Sequence, residues 1–172
     1  MRQIRQFRLI DPTFHGRRSA YFLQASMASV VLALILVVEI GVSNAAITAS
    51  VASSVFLVFV VPHSIASSTR RLFGGHLVGV IVGVSAYAAL RAVAGDPGTL
   101  STESLAVAGA IGVGVAILLM AITNTEHPPA AGTTLALITF GANIDAVLFI
   151  LSGAAILAVI RLVMARRMTN LL

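Results

Sequence analysis

The chain has 172 residues, 58% hydrophobic and 10% charged, with a formal net charge of +5 and a mean hydropathy of +1.02. A soluble domain carries about a quarter charged residues, so this composition excludes one and points to an integral membrane protein. There is no cysteine, hence no disulfide framework and no thiolate metal or catalytic site. The eleven basic residues are all arginine and adjoin apolar spans, so the high sequence pI of 11.4 reads as membrane topology rather than nucleic-acid binding.

In chain order, residues 1–19 read as a cytoplasmic amphipathic leader. Ile4, Phe7, Leu9 and Ile10 would lie on the membrane while Arg2, Arg5 and Arg8 face lipid phosphates. A solvated tail is the alternative. A transmembrane domain is expected over residues 20–165, and a short cytoplasmic tail over residues 166–172. Four segments are long and apolar enough to span a bilayer, which takes roughly 20 residues: Tyr21 to Ile40, Gly75 to Ala94, Leu105 to Ile122 and Ala146 to Met164. Two shorter ones, Ala45 to Val61 and Pro128 to Ala142, bring the count to six. The expected fold class is therefore all-α, a polytopic bundle with short second and fifth helices.

Six crossings put both termini on one side. With that side cytoplasmic, in a bacterial-type inner membrane, Arg2, Arg5, Arg8, Arg17, Arg18, Arg70, Arg71, Arg161, Arg166 and Arg167 all lie inside. Arg91 alone falls near the outside, to snorkel or to attract an anion. Glu39 is expected at the outer interface. Asp145 is expected to cap the last helix. His63 is expected in the inner loop. The Gly- and Pro-bearing loop near Gly95 to Glu103 divides the helices into halves at residues 20–94 and 104–165. Three helices per half imply an inverted repeat. Ala52-Ser53-Ser54-Val55-Phe56-Leu57 resembles Gly132-Thr133-Thr134-Leu135-Ala136-Leu137, which offers one internal match.

The stretch "TNTEHPPAAGTT", Thr123 to Thr134, interrupts the apolar run. Proline fits the first turn of a helix, where its missing N–H would have no partner. Pro128-Pro129 therefore predicts a new helix capped by His127 or Glu126. The N–H groups of Ala130, Ala131 and Gly132, with the hydroxyls of Thr133 and Thr134, make an anion site at its positive end. Ser53 and Ser54, with Ser50, are expected to face it from the second helix. His76, at the start of the third helix, and Glu126 are further candidates, and His127 would bind an anion best when protonated. The alternative is a turn whose small residues only allow close packing. Gly75, Gly79 and Gly83, and Ala108 with Gly112 and Ala110 with Gly114, form small-residue faces that join either helices of one chain or two protomers.

The ordered set His127-Pro128-Pro129, Ala130 to Leu135, Ala52-Ser53-Ser54, Pro62, Arg70 and Gly75-His76 resembles the HPP family of integral membrane proteins over roughly residues 20–165. Family members often have additional prolines where this chain has Ser64 to Thr69. The family includes nitrite transporters of chloroplasts and cyanobacteria. The resemblance implies a transporter of a small inorganic anion, nitrite first, and not an enzyme. No cofactor is expected. The expected partners are the anion, the lipid bilayer and a second copy in a homodimer, with no nucleic acid. Two rival readings remain: an intramembrane metal-binding or catalytic protein using Glu126, His127 and His76, and a passive anion channel.

Overall fold

The computed structural model describes residues 10–38 and 45–171. Residues 1–9 of the amphipathic leader, Glu39 and the first outer connection lie outside the described residues. The described chain is all-helical: α1 (Arg18–Val38), α2 (Ala45–Val60), α3 (Thr69–Ala94), α4 (Thr102–Thr123), α5 (Pro128–Phe140) and α6 (Ile144–Met164). The long helices α1, α3, α4 and α6 are apolar and long enough to cross a membrane. At 1.5 Å per residue α2 is about 24 Å long and α5 about 20 Å, both short of the ~30 Å hydrocarbon core.

Helix ends follow capping chemistry more than hydropathy. The third helix begins at Thr69, six residues before its apolar stretch, so Arg70 and Arg71 sit on its first turn. Ser101 starts α4 by accepting the Ser104 N–H. Asn143, not Asp145, caps α6, accepting the Ala146 N–H at 2.7 Å. Asp145 lies one residue into the helix, where its charge favours the positive end. Gly95 ends α3 with φ +80°, a backbone angle glycine adopts without penalty.

Helix directions alternate. One end of the bundle gathers the starts of α1 and α3 with the ends of α2, α4 and α6. Gln24 of α1 donates to the Phe59 carbonyl of α2 and to the Thr169 carbonyl, and accepts from the Thr169 N–H. Arg70 of α3 donates to the Thr123 carbonyl at the end of α4. Arg17 and Tyr21 donate to the carbonyls of Asn170 and Leu171, so the two ends of the described chain meet. Arg161, near the end of α6, donates to the Pro62 carbonyl. The arginine-rich end is a tied surface.

The short helix α5 is the centre. It packs against α2, α3 and α4, whereas α1 packs chiefly on α2. The core joins Val51, Val55 and Phe59 of α2 with Leu72, Leu137, Ile150 and Leu157. Phe22, Leu34, Ile81, Ile111, Ile122 and Leu162 face outward, as a lipid-facing surface requires. The glycine face of α3 works inside the chain. A Cβ on Gly79 would lie 2.7 Å from the Ala130 carbonyl oxygen, and one on Gly83 2.8 Å from Leu137 Cβ. Gly109 and Gly112 of α4 face Leu135 and Ile138 of α5. Gly114 meets nothing within 4 Å.

Candidate functional site

The fourth helix ends at Asn124, which takes the left-handed conformation with φ +56°. Asparagine tolerates this angle and is a common helix terminator. The chain then descends along α3. Arg71 meets Asn124 and forms an ion pair with Glu126 at 2.9 Å, and the methyl of Thr125 lies over Gly74. By His127 the chain is level with Gly75. Pro128 and Pro129 then open α5, with His127 as the residue before it. Counting 1.5 Å per residue from Arg70 to His76, the site lies about 9 Å below the arginine rim, inside the bundle.

Five polar side chains converge there: Ser50 and Ser54 of α2, His76 of α3, His127, and Thr133 of α5. All are buried. They form one hydrogen-bonded chain. His127 Nδ1 meets the Ala66 carbonyl at 2.8 Å, and its Nε2 meets Ser54 Oγ at 2.9 Å. Ser54 Oγ meets His76 Nε2 at 2.8 Å. His76 Nδ1 meets Thr133 Oγ1 at 2.9 Å. Thr133 Oγ1 meets Ser50 Oγ at 2.8 Å, and Ser50 Oγ donates to the Pro129 carbonyl at 2.7 Å. The two imidazole rings are 5.1 Å apart between centroids.

The remaining candidates are placed differently. Ser53 is exposed, bonds back to the Ala49 carbonyl and lines an open groove of 590 Å³ with Ala52, Phe56, Leu57, Pro128 and Pro129. Thr134 is buried and donates to the carbonyls of Gly79 and Ala130. The Ala130 N–H is not open: it donates to the His127 carbonyl at 2.9 Å, because the chain enters the helix through a tight turn. Ala131 and Gly132 are half-buried, and a Cβ on Gly132 would rest in ordinary contact with Ser50, 3.5 Å from its Cβ. Glu126 is outside the cluster, and Arg71 holds its carboxyl below the usual carboxylate range. The three residues of the metal reading are thus not brought together. Among the described residues no three His, Cys, Asp or Glu side chains gather.

Sequence reasoning gave Ser50 only a supporting place and missed the carbonyls of Ala66 and Pro129. The i, i+4 spacing of Ser50 and Ser54 was the available signal, since it puts both on one helix face. Gln24 was missed as well; a buried amide in an apolar helix is a signal that it serves backbone groups.

The bundle and its buried polar cluster define a polytopic helical membrane protein with a polar cluster inside the bundle. The chain belongs to the HPP family: the family model described as "HPP, transmembrane region" matches residues 14–171. A protein described as a transmembrane protein, from Dictyostelium discoideum, is 34% identical over 86 residues, which cover 50% of this chain and 27% of that relative. No solved structure matches the chain.

Proposed function

We propose that this chain transports a small inorganic anion, nitrite first, through the cluster of Ser50, Ser54, His76, His127 and Thr133. One observation carries the reading: five hydrogen-bonding side chains converge inside an apolar bundle. Polar groups at membrane depth are costly and serve substrate paths more often than structure. Hydroxyl and imidazole donors suit a planar monovalent anion, and Arg70 and Arg71 on the rim raise its local concentration. Ser53, on the groove beside Pro128 and Pro129, is the outer contact. Thr134, Ala130, Ala131 and Gly132 shape the α5 side of the path, and Glu126 braces the rim through Arg71. The cluster's members bond to one another, so admitting an anion requires α2 to part from the start of α5.

The arginine-rich end faces the cytoplasm in this reading, by the positive-inside rule. The homodimer uses the outward face of α3 and α4, where Ile81, Ala86, Ala89, Ala108 and Ile111 line an apolar groove of 640 Å³. Cross-linking of cysteines placed at Ala89 and Ala108 in native membranes tests the dimer; absence of any intermolecular product refutes it. The transport reading is tested by nitrite uptake into liposomes holding the purified protein. Saturable uptake supports a transporter, non-saturating flux supports a channel, and no anion flux above protein-free liposomes overturns both.

A further inference from the structure

The chain of hydrogen bonds can be counted proton by proton. It runs from the Ala66 carbonyl through His127, Ser54, His76, Thr133 and Ser50 to the Pro129 carbonyl, which makes six links. Both ends are carbonyl oxygens, which only accept. Each link needs one proton; the longer contact of Ser54 Oγ with the Ser50 carbonyl of its own helix, 3.3 Å, competes for the Ser54 proton, adds none, and is not one of the six. With both imidazoles neutral, the two rings and the three hydroxyls supply one proton each, five in all. One link is therefore without a proton.

Adding one proton completes the chain. If His127 carries it, His127 donates at both nitrogens, Ser54 donates to His76, His76 to Thr133, Thr133 to Ser50 and Ser50 to Pro129. If His76 carries it, His127 donates to Ala66, Ser54 donates to His127, and His76 donates to both Ser54 and Thr133. The two forms differ only in the direction of the Ser54 hydroxyl and in the ring that holds the charge. Ser54 thus passes a proton from one ring to the other, giving up its own proton on one side as it gains one on the other.

We propose that this chain is a binding site for one proton, shared by His76 and His127 through Ser54, and that the proton binds together with the transported anion. The second half rests on the transport reading above. A buried charge is costly unless paired, and the charged groups on the surrounding elements are engaged elsewhere. Arg70 bonds to the Thr123 carbonyl, Arg71 to Glu126 and Asn124, Arg161 to the Pro62 carbonyl, and the His63 ring to the Met168 carbonyl. An entering anion supplies the missing counter-charge. By linkage, each then raises the affinity for the other.

Removing any one hydroxyl of the chain removes two links and one proton. Ser54→Ala and Thr133→Val each leave four links served by four protons, so the neutral state is complete and the reason for the extra proton is gone. The test is a pH titration of the full chain in lipid nanodiscs with 15N-labelled histidine, read by the imidazole nitrogen signals and assigned with His76→Gln and His127→Gln. It is run with and without nitrite, and liposome flux is measured in parallel. The expected result is one imidazolium shared by the two rings, with a midpoint raised by nitrite. Ser54→Ala should lower that midpoint by about one pH unit or more, the effect of one lost charged hydrogen bond. If both rings stay neutral at every pH at which the protein stays folded, with nitrite present, the proton site is overturned, even where nitrite flux persists. If the shared imidazolium forms but no nitrite is carried and nitrite leaves the midpoint unmoved, the proton site stands and both the coupling and the nitrite reading fall.

Discussion

The two short helices carry the same kind of polar residue and use it differently. On α2, Ser53 and Ser54 are neighbours in sequence, but one is exposed on the groove and the other is fully buried. On α5, Thr133 and Thr134 are also neighbours, and both are buried. Successive residues on a helix point about 100° apart. α2 packs against α1, α5 and α6 but leaves the face of Ala52, Ser53 and Phe56 open to the groove, so adjacent hydroxyls diverge into different surroundings. α5 has α2, α3 and α4 around it, so both threonines find partners: Thr133 in the cluster, Thr134 on the carbonyls of Gly79 and Ala130. A hydroxyl's role here is set by whether its face of the helix is covered.

The largest test removes the enclosure of α5 itself. Gly79→Leu drives a side chain into the Ala130 carbonyl, 2.7 Å from its Cβ position; overpacking of this kind costs about 3 kcal/mol. Thermal unfolding in detergent should show a large fall in Tm or no folded protein. An unchanged Tm would mean that α3 and α5 are not so closely packed.

Thr133→Val comes next. It takes the partner from His76 Nδ1 and from Ser50, at a cost of about 1–3 kcal/mol for buried groups left unpaired. Nitrite affinity should fall about tenfold or more, measured as the concentration for half-maximal uptake. Wild-type affinity in a folded Thr133→Val protein would remove α5 from the site.

Glu126→Gln probes the turn that leads into α5. Arg71 lowers the carboxyl's titration in the folded protein, so the pair stabilises above the ordinary carboxylate range near 4.3. That contribution is lost as pH falls through the lowered value. The pair is exposed to solvent, so the effect is small. Wild type and variant should differ slightly in Tm at pH 7 and converge in acid; a difference that grows in acid would contradict this ion pair.

The smallest effect belongs to Ser53→Ala. Its hydroxyl only returns to the Ala49 carbonyl of its own helix, so stability should stay within about 0.5 kcal/mol. As an outer contact it should raise the half-saturating nitrite concentration less than Ser54→Ala does. The reverse order would place the anion in the groove and not in the buried cluster.

Much of this protein was legible in its sequence because the relevant physics is local. Hydropathy marks membrane helices by composition alone, so six apolar segments became six helices. Two adjacent prolines break a continuing helix but fit the first turn of a new one, and Pro128 starts α5. The ordered motif around His127 marked the family. What only the tertiary structure decided is a matter of facing. The i, i+4 spacing puts Ser50 and Ser54 on one face, but the second helix is apolar nearly all round, so its sequence does not say that this face, and not that of Ser53, turns to α5. His76 joins His127 because Gly74 and Gly75 let the descending turn lie against α3, and that approach is a property of two segments about fifty residues apart. Glu126 and His127 are adjacent, yet one turns to Arg71 at the rim and the other into the core, since extended backbone sends successive side chains to opposite sides. The Ala66 and Pro129 carbonyls, which close the hydrogen-bonded chain, are invisible to any reading of side chains, because every residue has a carbonyl and only the fold decides which one a histidine or a serine meets.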